Sequence, residues 1–225
     1  MAQNNFNGVH SLPGKQFMLY LAAALAYLLG SVPSAVWLGK SFYGVDVREH
    51  GSGNAGATNV LRTLGKKAGV SVLLLDMLKG FVAVNLSYIT NLTLGSEEWT
   101  NLRAMLALAA IIGHIFPLFA NFKGGKGVAT MTGALIALSP LASLIAVVIF
   151  FLMLALTKYV SLSSVVTALT LPVIFGAWLH SSFSLSLYSF AVAVIIIITH
   201  RKNIQRLMKG EESKTNLFGK KKENS

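Results

Sequence analysis

The chain of 225 residues is 54% hydrophobic and 12% charged, and its apolar residues form long blocks, which argues against a water-soluble fold. It contains no cysteine, which excludes disulfides, thiolate metal sites and a cysteine nucleophile. The net charge of +11 is typical of proteins that bind nucleic acid or an anionic membrane surface. The dense basic stretch at Lys214, Lys220, Lys221 and Lys222 lacks interleaved aromatic residues, so we expect anionic lipid and no nucleic acid.

Seven apolar segments predict membrane-spanning helices, of which the fourth is short. Because none shows the alternating pattern of a barrel strand, we predict an all-α integral membrane protein built as a helix bundle. The predicted spans are residues 17–38, 69–90, 102–120, 127–139, 141–157, 162–180 and 185–199. They form one membrane domain over residues 1–225, in which residues 200–225 are a basic tail.

The distribution of lysine and arginine predicts the orientation of the bundle. One face takes the segments 39–68, 121–126, 158–161 and 200–225, which carry sixteen of the nineteen basic residues. Positive charge marks the cytoplasmic side, so we predict an outside amino terminus and a cytoplasmic carboxyl terminus. Every segment rich in glycine, serine and asparagine falls on this same face, which predicts a site there.

The first polar segment, REHGSGNAGATNVLRTLGK, places glycines among hydroxyl and amide side chains. Glycines allow backbone N–H groups to converge on an anion. No apolar strand precedes the segment, so it is not a dinucleotide-binding fingerprint, and an ordinary glycine-rich connector is the competing interpretation. Its candidate site residues are Arg48, Ser52, Gly53, Asn54 and Asn59.

The second polar segment, GHIFPLFANFKGGKGVAT, ends in Gly-Gly-Lys-Gly immediately before a predicted helix, a position that suits a phosphate. It lacks the spacing and the hydroxyl residue of a Walker loop, so nothing indicates nucleotide hydrolysis. A buried histidine bonded to a neighbouring helix explains His114 as well as a catalytic role does. The candidate substrate-binding residues are Lys123, Gly124, Gly125, Lys126 and Gly127.

Two further segments carry polar side chains on the same face. The hydroxyls of Ser161 and Ser164 in YVSLSS either bind substrate or only cap the sixth span. In THRKNIQRLMKGEE, the residues His200, Asn203 and Arg206 recur at helical spacing, and a plain surface tail is the alternative interpretation.

Asp76 and Lys79 lie three residues apart in the second span. Opposite charges within a membrane helix are costly unless they pair, so we expect a structural ion pair rather than a direct catalytic role. Too few carboxylates gather elsewhere to form a metal site, and we expect neither a metal nor a cofactor.

Six motifs occur in the order of a known family: GSVPSA, REHGSGNAGATNVLR, LDMLKG, GHIFPLFANFKGGKGVAT, YVSLSS and HRKNIQRLMKGEE. Together they resemble the bacterial acyl-phosphate:glycerol-3-phosphate acyltransferase family over about residues 30–212. The combination is far more specific than any one motif.

The resemblance implies an enzyme of the bacterial cell (inner) membrane whose active site faces the cytoplasm. It would transfer an acyl group from acyl phosphate to the sn-1 hydroxyl of glycerol 3-phosphate. The products would be 1-acyl-glycerol 3-phosphate and phosphate, in the first step of phospholipid biosynthesis. The implied partners are these two substrates and membrane lipid, and the oligomeric state is left open.

The resemblance also implies roles for the matching residues. Ser52 and Arg48 would be the essential pair of the first motif, and Gly124, Gly125, Lys126 and Gly127 would bind glycerol 3-phosphate. His200 and Asn203 would act in catalysis, and Glu212 would be structural.

The chemistry of the residues agrees with these implications. An acyl phosphate already has a good leaving group, so the glycerol hydroxyl can attack directly with no covalent acyl-enzyme. Either His200 or a substrate phosphate would be the base. The rival function is a transporter or channel for a phosphorylated solute, which predicts polar residues near mid-membrane in several spans. Here only Asp76 and Lys79 approach that description.

Overall fold

The structure, a computed structural model, describes residues 13–179 and 182–215, and every regular element within these ranges is a helix. Single 3-10 turns at Val47–Glu49, Leu86–Ile89 and Leu118–Ala120 and a π turn at Ile174–Trp178 accompany the α-helices. The α-helices are α1 Pro13–Gly30, α2 Ser34–Tyr43, α3 Ala57–Thr63, α4 Lys66–Asn85, α5 Glu97–Ile115, α6 Val128–Leu138, α7 Pro140–Thr157, α8 Val160–Val173, α9 Phe183–Thr199 and α10 Arg201–Met208.

The protein is an all-helical integral membrane protein. Within the described ranges, four helices are long and apolar enough to cross a membrane by themselves. The number rises to six when α1 with α2, bent by 41°, and α9 with α10, bent by 61°, each count as one span. Helix α6 is apolar but shorter.

Each predicted span coincides with a helix in the described residues, although residue 180, the predicted end of the sixth span, lies outside them. Two helices cover the span predicted over residues 17–38, because the chain breaks between Gly30 and Ser34. Pro33 has no N–H to donate, so it cannot continue a helix. The break frees the carbonyl of Val32, which accepts a hydrogen bond from Nζ of Lys79 at 2.9 Å.

The basic tail is only partly described. Its first residues form α10, and the chain then continues without regular structure to residue 215. The predicted contact of Lys220, Lys221 and Lys222 with anionic lipid lies outside the described residues.

Glycine brings helices α4 and α6 into backbone contact. A Cβ atom at Gly133 would lie 1.8 Å from the carbonyl oxygen of Met77, and one at Gly80 would lie 2.1 Å from that of Thr130. Helices α1 and α5 meet in the same way at Gly30. Small residues allow this close approach in membrane bundles, where dispersion and not the hydrophobic effect holds helices together. The contact places the first half of α6 beside residues 77–80 of α4.

Replacing Gly133 by alanine should weaken this contact, because a methyl group cannot fit against the Met77 carbonyl. We expect a loss of about 1–3 kcal/mol of stability, as found for overpacked cores. The measurement is the thermal unfolding midpoint of the purified protein in detergent. Gly176→Ala is the matched control, since its Cβ would meet nothing within 4 Å. Equal midpoints for the two variants would contradict the packing argument.

Candidate active site

A cavity of about 440 Å³ lies between α4, α6, α7 and α8 and reaches the beginnings of α3 and α10. Its polar end is lined by Ser52, Asn54, Asn59, Arg62, Lys126, Ser161, His200, Asn203, Arg206 and Glu212. Its apolar part is lined by Leu73, Met77, Val128, Met131, Leu135, Val147, Phe150 and Phe151. The cavity therefore joins a polar compartment to an apolar one.

The structure brings most of the predicted site residues to this cavity, but not all of them. Besides the predicted residues in the polar end, the cavity lining also includes the predicted residues Asp76, Gly127 and Ser164. The predicted residues outside its lining are Arg48, Gly53, Lys79, Lys123, Gly124 and Gly125.

Asn59 organises the loop that precedes α3. Its Oδ1 accepts hydrogen bonds from the backbone N–H of Ser52 at 2.8 Å and from the Ser52 hydroxyl at 3.1 Å. Its Nδ2 donates to the carbonyls of Val47 and His50 at 2.8 and 3.0 Å. Gly51 has a φ of +60°, and a Cβ there would lie 2.4 Å from Asn59 Oδ1. Asn59 therefore holds the loop that presents Ser52 to the cavity.

Arg48 is held away from the cavity. Its guanidinium makes two hydrogen bonds to the carboxylate of Asp46, at 2.7 and 3.0 Å, and donates to the carbonyl of Ala120 at 3.1 Å. These hydrogen bonds hold the pKa of Asp46 well below its usual range. The fork of Arg48 therefore ties the first polar loop to the segment that leads into the glycine-lysine loop, residues 123–127.

The glycine-lysine loop folds back against the end of α5. The backbone N–H of Gly124 donates to the carbonyl of Ile115 at 3.2 Å, and that of Gly125 donates to the carbonyl of His114 at 3.1 Å. A Cβ at Gly125 would lie 2.2 Å from Nε2 of His114. These two glycines are needed for close packing, and their N–H groups already have partners. Only the last two residues of the loop line the cavity.

A buried polar network supports this loop from below. Asp76 and Lys79 of α4 form an ion pair at 2.9 Å, and both side chains are almost fully buried. Nδ1 of His114 lies 3.6 Å from the Asp76 carboxylate and 3.1 Å from the hydroxyl of Thr130 on α6. The network thus links α4, α5 and α6 directly beneath the glycine-lysine loop. Whether its role is structural stays a prediction.

Glu212 joins the two carboxyl-terminal motifs. Its Oε1 accepts hydrogen bonds from Ser161 Oγ and Asn203 Nδ2, each at 2.7 Å, and its Oε2 accepts from Arg206 Nε at 2.7 Å. The ammonium of Lys126 donates to Oδ1 of the same Asn203. A continuous chain of hydrogen bonds therefore runs from α8 through α10 to the glycine-lysine loop.

His200 lines the cavity with one ring nitrogen free to act. It is 3% exposed, and its Nδ1 lies 2.8 Å from the carbonyl of Ile196. A carbonyl only accepts, so Nδ1 carries a proton and the neutral ring keeps a lone pair at Nε2. Burial, with a contribution from Lys126, lowers the pKa of His200 to about 4. The imidazole is therefore a neutral base at physiological pH.

Four helices begin at the cavity: α3, α6, α8 and α10. None of the four has a side-chain hydrogen bond capping its first turn. The serines of YVSLSS do not cap α8, because the residue at its cap position is Tyr159. Helix amino termini present N–H groups and partial positive charge, so their convergence favours anions. The sequence predicted this property only for the helix that follows the glycine-lysine loop.

Sequence reasoning missed Arg62 and Thr167, which the fold brings to the cavity. The Thr167 hydroxyl has no hydrogen-bond partner, whereas the neighbouring Ser163 and Ser164 donate to carbonyls of their own helix. Helical spacing from Ser164 would have placed Thr167 on the same face of α8. Arg62 ends the motif REHGSGNAGATNVLR and lies three residues after Asn59 on α3, so its place in the motif was the available signal.

Comparisons with known proteins identify similar sequences. The model of a family described as glycerol-3-phosphate acyltransferase matches residues 20–210. A protein of that name from Fusobacterium nucleatum is 46% identical over 190 residues, which cover 84% of this chain and 94% of the relative. One from Listeria monocytogenes is 46% identical over 199 residues, covering 87% and 96%. One from Bacillus cytotoxicus is 43% identical over 206 residues, covering 92% and 100%.

Two solved structures share the fold. Both are crystal structures of PlsY, described as an integral membrane glycerol 3-phosphate acyltransferase. The glycerol 3-phosphate form superposes with a TM-score of 0.80 at 36% identity and covers 89% of this chain and 99% of that chain. The lysophosphatidic acid form gives 0.77 at 35% identity and covers 88% and 95%.

Anion binding at the cavity should weaken with rising pH because of Lys126. Burial lowers the pKa of Lys126 to about 8, so the ammonium is charged below that pH and neutral above it. A bound phosphate dianion raises this pKa, and affinity then falls by up to about tenfold per pH unit above 8. The measurement is the affinity for inorganic phosphate between pH 7 and 9.5.

Lys126→Arg provides the control for this pH dependence, because a guanidinium stays charged throughout the range. We expect its phosphate affinity to stay nearly constant between pH 7 and 9.5. The same decline in Lys126→Arg as in the unmodified protein would assign the titration to another group.

Proposed function

Because this chain belongs to the glycerol-3-phosphate acyltransferase family, we propose that acyl phosphate is its acyl donor and that the cavity is its active site. The enzyme acylates glycerol 3-phosphate to 1-acyl-glycerol 3-phosphate. The proposal rests on one observation, which is that a single cavity contains both a cationic polar compartment and an apolar one. Such a cavity suits a donor that has a phosphate at one end and an acyl chain at the other.

The two substrate phosphates need two sets of positive charge in the polar compartment. We assign glycerol 3-phosphate to the beginning of α6, where Lys126 and free N–H groups of the first turn converge. Ser52 and Asn54 line the cavity from the facing loop and can hold the glycerol hydroxyls. Arg48 then acts by positioning, since its bond to the Ala120 carbonyl braces the glycine-lysine loop.

The reaction needs little covalent help from the protein. The sn-1 hydroxyl oxygen attacks the acyl carbonyl carbon, the bond from that carbon to the phosphate oxygen breaks, and phosphate leaves with the bonding electrons. The hydroxyl proton passes to Nε2 of His200 or to a phosphate oxygen. Substrate phosphates bring negative charge beside His200 and raise its pKa, which strengthens it as a base.

The acyl chain fits the apolar compartment between α4, α6 and α7. Leu73 on α4 and Phe151 on α7 line the cavity and are also 40% and 52% exposed on the surface that faces lipid. A chain can therefore enter from the bilayer without crossing water.

We further propose seven crossings in one membrane domain, counting α1 with α2 as a single span, α6 as a short span and α9 as the last span, with α10 in the basic tail. The amino terminus is then outside, and the cavity opens toward the cytoplasm of a bacterial cell (inner) membrane. The basis is the positive-inside rule, since basic residues concentrate on the face of the polar compartment. No cofactor or metal enters this scheme.

The donor is tested with the purified protein in lipid vesicles, supplied with labelled glycerol 3-phosphate and either palmitoyl phosphate or palmitoyl-CoA. We expect labelled 1-acyl-glycerol 3-phosphate from palmitoyl phosphate alone. Equal product from palmitoyl-CoA would contradict the assignment of the donor. Uptake of glycerol 3-phosphate into the vesicles without any product would instead favour a transporter.

His200→Ala should lower kcat by about 10²-fold, the lower range for loss of a general base, with a smaller effect on KM for glycerol 3-phosphate. The measurement is steady-state acyl transfer at saturating palmitoyl phosphate. His50→Ala is the control, because His50 is exposed and outside the cavity lining. If folded His200→Ala retains the kcat of the control, a substrate phosphate takes the proton.

A further inference from the structure

The chain turns back across the polar compartment after α10. Gly210 has a φ of +72°, and the backbone N–H of Glu211 donates to the carbonyl of Arg206 at 2.8 Å. Five residues farther along the chain from Gly210, the backbone N–H of Thr215 donates to the carbonyl of Lys158, at the end of α7, at 2.8 Å. Residues 209–215 thus form a strap from α10 to the α7–α8 connection, fixed at both ends by backbone hydrogen bonds.

The strap inserts one carboxylate into the polar compartment. Glu212 lines the cavity and its side chain is 6% exposed, whereas the adjacent Glu211 and Ser213 are exposed. Three donors on α8 and α10 converge on its two oxygens, each at 2.7 Å. The hydrogen bonds from these donors outweigh burial and lower the pKa of Glu212. The group is therefore an anion held in an anion-binding site.

The donors around Glu212 do not require a carboxylate. Ser161 Oγ, Asn203 Nδ2 and Arg206 Nε would serve equally well for the oxygens of a phosphate, which accepts charge-assisted hydrogen bonds in the same geometry. Arg62 and Lys126 line the cavity and add positive charge beside this set. A second phosphate that enters this compartment can therefore take over the hydrogen bonds of these donors.

We propose that Ser161, Asn203 and Arg206 form the subsite for the phosphate of the acyl donor and for the phosphate product, and that Glu212 fills this subsite whenever phosphate is absent. This inference rests on the proposed function, because it assigns the second phosphate of that reaction. Donor binding displaces Glu212 and frees the strap. Return of the carboxylate after acyl transfer expels inorganic phosphate.

Competition between Glu212 and phosphate also provides a negative charge in the site both when phosphate is bound and when it is absent. Without an anion, the largely buried ammonium of Lys126 would face only the repulsive positive charges of Arg206 and Arg62. Glu212 offsets that repulsion in the empty enzyme, and the arriving phosphate takes over the same hydrogen bonds. The enzyme therefore never leaves these cations without an anionic partner.

The test follows the strap directly with a spin label. The chain has no cysteine, so Ser213→Cys provides a unique labelling site on the exposed part of the strap. We expect inorganic phosphate to increase the mobility of the label, with half-saturation at the concentration that half-inhibits acyl transfer. A label at Glu49→Cys, exposed and remote from the strap in sequence, should not respond.

Two further ligands identify the anion that displaces Glu212. Hexadecyl phosphate should mobilise the strap like inorganic phosphate, whereas glycerol 3-phosphate alone should not. Mobilisation by glycerol 3-phosphate but not by inorganic phosphate would overturn the assignment, and so would a label that stays immobile at saturating phosphate.

The Glu212→Gln variant tests the competition itself. Its amide cannot accept from all three donors, so the strap label should be mobile without phosphate and the inhibition constant for phosphate should fall by about tenfold. Glu211→Gln makes the same chemical change at the exposed neighbour and should behave like the parent protein. An unchanged phosphate inhibition constant in folded Glu212→Gln would overturn the proposal, leaving Glu212 a purely structural role.

Acyl transfer and strap mobility, both measured on the labelled protein, distinguish failure of this inference from failure of the proposed function. Acyl transfer from palmitoyl phosphate with an immobile strap would leave the function intact and overturn the subsite. A strap that phosphate mobilises in a protein without acyl transfer would support the subsite and overturn the function.

Discussion

The hydrogen bonds that join Lys126, Asn203 and Glu212 are the interaction on which the site depends. Under the proposed function this cavity receives two phosphates and must present cations, yet it lies among membrane helices where unpaired charge is costly. The chain meets both requirements by supplying its own carboxylate from the strap beyond α10. That carboxylate also fixes where α8, α10 and the glycine-lysine loop meet. The hydrogen bonds that neutralise the cations are therefore the same ones that hold these segments together.

The two glycine-rich loops are held rigid by side chains rather than by regular structure. Asn59 satisfies all of its amide groups within the first loop, and His114 packs under Gly125 in the second. Small residues are needed where these side chains pass, because any Cβ would collide with them. The glycines therefore serve mainly to let polar side chains approach the backbone. Rigid loops lose little entropy when substrate binds, which favours precise placement of the hydroxyl against the carbonyl.

Hydropathy predicted the positions of the helices well, since each apolar block became a helix. Pro33 could have indicated the break in the first span, because it follows Gly-Ser-Val inside an apolar run. Local composition could not reveal which carbonyls would satisfy the N–H groups of Gly124 and Gly125, since their partners lie on α5. Because these partners could not be predicted, we expected from the sequence that Gly124 and Gly125 bind phosphate. The pairing of Arg48 with Asp46, only two residues away, was readable from the sequence. The place of Arg62 near the site was readable as well, because it ends the first motif three residues after Asn59.

The bend of 61° between α9 and α10 places His200 at the junction of the two helices. At a helix end the last carbonyls lack the amide donors that would follow in a continuous helix. The carbonyl of Ile196, however, accepts both the backbone N–H of His200, at 3.0 Å, and Nδ1 of its imidazole, at 2.8 Å, and the second contact fixes the proton on Nδ1. A straight helix would carry Asn203 and Arg206 onward along the axis of α9, away from Ser161 on α8. The bend instead turns both side chains toward Glu212, so this change of direction brings the donors of α10 together beside His200.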